Sequence, residues 1–400
     1  MRITTVLALL GAGLGTAHSQ NAPQLGIALH SPVTAEALGR IEQYLRTESA
    51  LGLRRAELLS LITAREMSLA YAWSVHEDAA LRAGLEPRIV EVVRTNAPVT
   101  GLPADEALLI DFGRQLFRNR HVNAETFAAL VERLGRQATF DAVMSLAYPA
   151  MAGIIERAVG QGPPAGWDPG RLPPVAGVGT PVGRAGEFVT LGPRPPVPAD
   201  VYEDSYYRFP LLRRDEIDPR GREIFDQLVG ADTDTAPRGP VGMTLNSPAF
   251  AEPVQTINTA LRENGALDTR MAEIVIAATG REMNSQYQWA VHGAVAERAG
   301  AGQPVLDAIR DDGDLSQLDA RDAVAIAFVR ELFREEAVRP DTLDAAVARF
   351  GTRGAVEIAA LAGDYLMITM VYNALGMRLR PDQEAALPHR AGAPVGAEWR

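Results

Sequence analysis

The sequence predicts an all-α protein made of two tandem copies of one helical domain. The first observation behind this is a self-repeat. Every residue from Gly26 to Gly160 can be laid on Gly242 to Gly376 at one fixed offset of 216, without a gap. Between Arg54 and Gly84, 15 of 31 positions are identical to their counterparts, where chance in an Ala- and Arg-rich chain would give about one in ten. The second observation is periodicity: apolar residues recur at three- and four-residue spacing, and alternating strand patterns are scarce. The third is a Pro/Gly-rich break holding Gly162-Pro163-Pro164, Pro173-Pro174 and Pro195-Pro196, which cannot sustain a helix.

The elements follow in order. Residues 1–19 read as a secretion signal, with Arg2 ahead of a short apolar run and Ala17-His18-Ser19 supplying small residues before a cut at Gln20. The run is too short to span a bilayer. Residues 20–160 form a first, truncated domain, with helices expected near 33–50, 54–63, 65–84, 86–95, 103–119, 123–135 and 138–159. Gly84 and Gly135 stand where helices end. Residues 161–200 read as a linker. Residues 201–380 form the second domain, with the same helices 216 residues on, Gly300 and Gly351 at the same stops, and a lead-in that includes Phe209-Pro210-Leu211-Leu212. Residues 381–400 read as a tail. With 400 residues, 47% of them hydrophobic, each domain can bury its own core. The two copies are expected to pack together as a pseudo-symmetric pair.

Composition excludes several chemistries. The net charge of −11 argues against nucleic-acid and anionic-membrane partners, which reward basic patches. All 39 basic residues are arginine, so Schiff-base catalysis, a P-loop and anchorage of pyridoxal phosphate lack their lysine. There are no cysteines, which removes thiol nucleophiles, redox pairs, iron–sulfur clusters and disulfides.

The repeat also filters candidates. Among the six histidines, only His76 and His292 occupy equivalent positions in both copies. Around them the shared set is Glu57/Glu273, Arg65/Arg281, Glu66/Glu282, Tyr71/Tyr287 and Trp73/Trp289. At 100° per residue, Glu66, Trp73 and His76 share one face of a helix, and Glu57 lies on the opposite side. Both carboxylates reach one histidine only if the helix breaks, and Thr63-Ala64 with Thr279-Gly280 is the cheapest place for that. The tryptophans equally suit core packing, and the Arg-Glu pairs equally suit ion pairs that fasten helices. Neither histidine has a second histidine at i+3 or i+4, so no metal site is expected.

This constellation resembles the carboxymuconolactone decarboxylase-like family, which includes the AhpD-like alkylhydroperoxidases. Its members are small all-α domains in which a glutamate precedes a histidine by 19 residues, the spacing here of Glu57 to His76 and Glu273 to His292. In the redox branch a CxxC pair lies seven and four residues before the histidine. Here Leu69 and Ala72, or Ser285 and Gln288, stand there, so the cysteine-free branch is the likeness and thiol peroxidase activity is disfavoured. The resemblance implies a cofactor-free lyase acting on a small carboxylated lactone or enol. Glu273 with His292, and Glu57 with His76, would be the catalytic pairs. Substrate binding falls to Arg281, Glu282, Tyr287 and Trp289, with Arg65 and Glu66 in the first copy. A non-catalytic exported small-molecule-binding module is the alternative. Polar Asn284, Ser285, Gln286 and Gln288 near His292, against Ser68, Leu69, Ala70 and Ala72 near His76, favour the second domain as the active one. Single-repeat relatives are typically oligomers, so homo-oligomerisation stays open beside the intramolecular pairing.

Overall fold

The computed structural model describes residues 30–160, 166–179 and 182–399; the leader segment 1–19 lies outside them. The protein is all-α, with fourteen α-helices among the described residues and one two-stranded ribbon. The first half contributes α1 (Pro32–Thr47), α2 (Leu53–Glu66), α3 (Ala70–Arg82), α4 (Pro87–Arg94), α5 (Ala104–Asn119) and α6 (Ala124–Ala158). The second half opens with the lead-in helices α7 (Pro219–Leu228) and α8 (Pro240–Thr244). It then repeats the set as α9 (Pro248–Arg262), α10 (Thr269–Glu282), α11 (Gln286–Arg298), α12 (Gln303–Arg310), α13 (Ala320–Arg334) and α14 (Pro340–Leu375). Helix starts coincide at the 216-residue offset throughout the repeat.

Local chemistry places the boundaries. Proline opens α1, α4, α9, α12 and α14, a position where its missing N–H costs nothing. In the second half the side chains of Asp268, Ser285 and Asp319 cap α10, α11 and α13. Their counterparts Gly52, Leu69 and Pro103 make no such bond. The break within the histidine motif falls at Met67-Ser68-Leu69 and Met283-Asn284-Ser285, not at Thr63-Ala64 or Thr279-Gly280. Ser68 and Asn284 turn the chain in the left-handed region, at φ 55° and 50°. Thr63 and Thr279 stay helical and bond backbone carbonyls of Leu146 and Val275. Gly280 answers a packing need instead, since a Cβ there would lie 3.0 Å from the Gln288 Cβ. Glu66 and His76 therefore sit on different helices, and α3 folds back onto α2.

The long helices α6 and α14 form the centre. Each is interrupted by a glycine, Gly135 at φ 78° and Gly351 at φ 71°, so the two-helix pattern expected around residue 135 survives as a kink. By length and composition both could cross a membrane, yet 94% of each apolar window is buried inside the protein, as in core helices of a globular fold. They press on one another closely enough that a Cβ on Gly363 would lie 3.0 Å from Met151. The α1 and α9 helices meet as well. The Tyr44 and Phe250 rings are edge-on at 5.0 Å, the Tyr44 hydroxyl lies 3.1 Å from that of Ser247, and Arg40 pairs with Glu252. The two most extensive packings across the halves thus join repeat equivalents. A single apolar core runs through both, and a smaller cluster around Phe225 and Leu212 seats the lead-in.

The described parts of the linker and the tail are not loose connectors. Leu172-Pro173 and Ala176-Gly177 match Leu387-Pro388 and Ala391-Gly392 at an offset of 215, and Gly177 and Gly392 turn at φ 73° and 79°. Each segment is a strap closing its own half. The Arg65 guanidinium donates to the Pro173 carbonyl at 2.7 Å, and Arg281 donates to that of Pro388 at 2.7 Å. The first strap then crosses to the second half, where β1 (Phe188–Val189) pairs antiparallel with β2 (His389–Arg390).

Candidate active site

The nineteen-residue spacing brings each Glu-His pair into direct contact. His76 Nδ1 lies 2.8 Å from Glu57 Oε2, and His292 Nδ1 lies 2.8 Å from Glu273 Oε2. The glutamates stand in the second turn of α2 and α10, the histidines midway along α3 and α11, and the left-handed turn between helices lets them face. A third member completes both sets. Arg46 at the end of α1 reaches Glu57 at 3.4 Å, and Arg262 at the end of α9 reaches Glu273 with Nε at 3.2 Å. Burial alone would raise the Glu273 carboxyl, but the bonds from His292 and Arg262 outweigh it and hold it below its ordinary value. With Nδ1 engaged, Nε2 is the ring nitrogen left to exchange a proton.

The two sets differ in what faces them. In the first half His76, Glu57 and Arg46 line a part-open cavity of about 80 Å³, closed by Leu53, Ala56, Tyr71, Ala72, Val75, Tyr148, Pro149, Ala152 and Glu156. The His76 side chain is 24% exposed, against 11% for His292. In the second half larger groups occupy the equivalent positions. Tyr365 replaces Pro149 and stands edge-on to His292 at 4.9 Å. Tyr372 replaces Glu156 and meets Tyr287 edge-on at 4.9 Å, and Gln288 replaces Ala72. The cavity therefore lies at His76, whereas the sequence favoured the second domain as the active one, and His292 is covered. The polar residues thought to orient a substrate near His292 have structural partners. Ser285 caps α11, Gln286 bonds both backbone groups of Leu387, Gln288 reaches Thr369, and Asn284 meets His389 at 2.7 Å.

The remaining candidates are packing groups. Arg65 donates to the carbonyls of Arg94 and Pro173, and Arg281 to those of Arg310 and Pro388. Burial pushes the Arg281 guanidinium down to about 10. Glu66 is clasped by Arg118. Glu282 is clasped by Arg334 and by Arg390, which is fully buried and also holds Asp312. These four residues lie between helices and straps, outside the lining of the His76 cavity, and the contacts they make fasten those elements. Trp73 and Trp289 are core residues at 0% and 8% exposure. Tyr71 lines the first cavity; Tyr287 packs on Tyr372. The residues missed from the sequence are Arg46, whose equivalent Arg262 shares the 216-residue offset, and Tyr148 and Glu156, which lie far along the chain from the histidine motif and differ between copies. Among the described residues no cluster of three or more His, Asp or Glu could hold a metal ion. In comparison with known proteins, no family profile matches the chain and no curated protein resembles it at a significant level.

Proposed function

We propose that the first half carries a cofactor-free acid–base site of the carboxymuconolactone decarboxylase-like, AhpD-like kind, acting on a small carboxylated lactone or enol. The observation behind it is a histidine held by a buried glutamate while its ring opens into a cavity that also contains a cation. Arg46 orients the substrate carboxylate. The bond to that carboxylate breaks, carbon dioxide departs, and the electron pair enters the conjugated lactone as an enolate. The apolar walls at Leu53, Ala56 and Val75 favour this spread charge over the compact one. His76 then delivers a proton from Nε2 to carbon and is recharged from solvent, with Glu57 holding the ring in register. The second half, with His292 under Tyr365, suits the other reading, a non-catalytic copy that pairs with the first inside one chain as two subunits would.

The test is a panel of carboxylated butenolides assayed for carbon dioxide release. The wild type should turn over at least one. His76→Ala should lose about 10²–10⁴-fold with its melting temperature kept, and His292→Ala should retain activity. Equal activity in the wild type and the His76 variant would sink the proposal. The leader proposal is checked separately: protein recovered from its native host should begin at or near Gln20.

A further inference from the structure

The His76 cavity contains a second carboxyl group that the proton-transfer scheme does not use. Glu156, on α6, lines the same cavity and is 5% exposed. It forms no ion pair among the described residues. Its neighbour Arg157 donates to the Met67 carbonyl of its own half at 2.8 Å and pairs with Glu336 of the other half at 3.3 Å. The other ionisable groups around the cavity are Glu42 and Arg46 on α1, Glu57 on α2, Tyr71 and His76 on α3, and Tyr148 on α6. Only Arg46 is a permanent cation, and it already faces Glu57. Glu57 engages only Nη1 of that guanidinium, which leaves donors for one carboxylate, and the lining also holds the buried carboxyl of Glu156.

Resting on the acid–base reading of this site, we propose that the pocket selects ligands with one carboxylate and one neutral carbonyl, the carboxylate at Arg46 and the carbonyl oxygen accepting a hydrogen bond from Glu156. A second anionic group would meet no second cation and would lose its hydration. Burial pushes the Glu156 carboxyl up to about 8, against smaller opposing effects from Arg157 and a backbone bond near Tyr71, so at neutral pH it holds the proton it needs to donate. The 80 Å³ volume limits the ligand to one small ring.

The experiment is calorimetric and needs no turnover. The probes are 5-oxotetrahydrofuran-2-carboxylate, a saturated lactone acid without the conjugation for decarboxylation, and tetrahydrofuran-2-carboxylate, the same ring without the carbonyl. At pH 6 the wild type should prefer the lactone by about tenfold, the worth of one buried hydrogen bond. Glu156→Gln, whose amide still donates, should keep the preference, and Glu156→Leu should lose it. The wild-type preference should fall as pH rises through about 8, while the glutamine variant stays flat. Equal binding of both rings, no binding of either at millimolar concentration, or a preference kept by the leucine variant would overturn the proposal. The outcome is separable from that of the acid–base reading: carbonyl preference without turnover leaves a binding pocket, and turnover without preference leaves the histidine pair alone.

Discussion

At the scale of single residues, the same offset that pairs Glu57 with Glu273 also pairs Glu156 with Tyr372. One exchange keeps the chemistry and the other decides where there is space for it. The first was legible because both histidines survive the repeat comparison and the glutamate spacing is shared. The second was not, because Glu156 lies eighty residues beyond His76 and only the packing of α6 against α2 and α3 brings them together. A buried carboxyl raised to about 8 from an ordinary 4.5 also makes a stability statement. The folded chain binds more protons here than the unfolded chain between those two values, so stability falls as pH rises through that window. Glu156→Gln should remove most of this fall, making the variant more stable than the wild type by on the order of 3 kcal/mol at pH 8. It should nearly match the wild type at pH 4. Melting curves across pH check this; parallel curves for the two proteins would show that Glu156 is ionised in the fold.

At the scale of elements, most helix ends were legible to within about three residues, because proline and glycine punctuation repeats 216 residues on; the start of α3 was not, since the left-handed turn at Ser68 carries no glycine or proline to mark it. The straps were not. Their match stands at 215, so a gapless comparison reads past Leu172-Pro173 and Leu387-Pro388, and what remains is Pro/Gly composition, which suggests only a linker. What differs between the straps is charge. Val175 in the first stands where Arg390 stands in the second, and Arg390 holds both Glu282 and Asp312 with no exposure of its own. Burial would raise the Asp312 carboxyl, but the bond and charge of Arg390, with Arg334 behind it, hold it near 2. Its share of stability is therefore present above pH 4 and lost as pH falls toward 2. Arg390→Ala leaves two buried carboxylates sharing one arginine, a loss expected to cost about 3–5 kcal/mol near neutrality. Urea unfolding measures it, and a change below about 0.5 kcal/mol would mean that the strap is not fastened by this charge.

At the scale of the whole molecule, the two halves are joined three ways: by the core helices α6 and α14, by α1 against α9, and by the β1–β2 ribbon. The stretch from Pro193 to Val197 is exposed. Cutting the chain between Arg194 and Pro195 should therefore leave two fragments that copurify as a folded complex, with a melting temperature close to that of the intact chain. Size-exclusion chromatography and circular dichroism of coexpressed fragments check this, and fragments that elute separately would contradict it. The ribbon also has a consequence for how the chain is made. The partners of Phe188 and Val189 are Arg390 and His389, some two hundred residues later, which at about 5–20 residues per second is a delay of roughly 10–40 seconds during synthesis. The first half can assemble its helices on the ribosome, but the crossing part of its strap has no partner strand until His389 and Arg390 emerge. A segment translated some two hundred residues later is therefore the one that closes the ribbon.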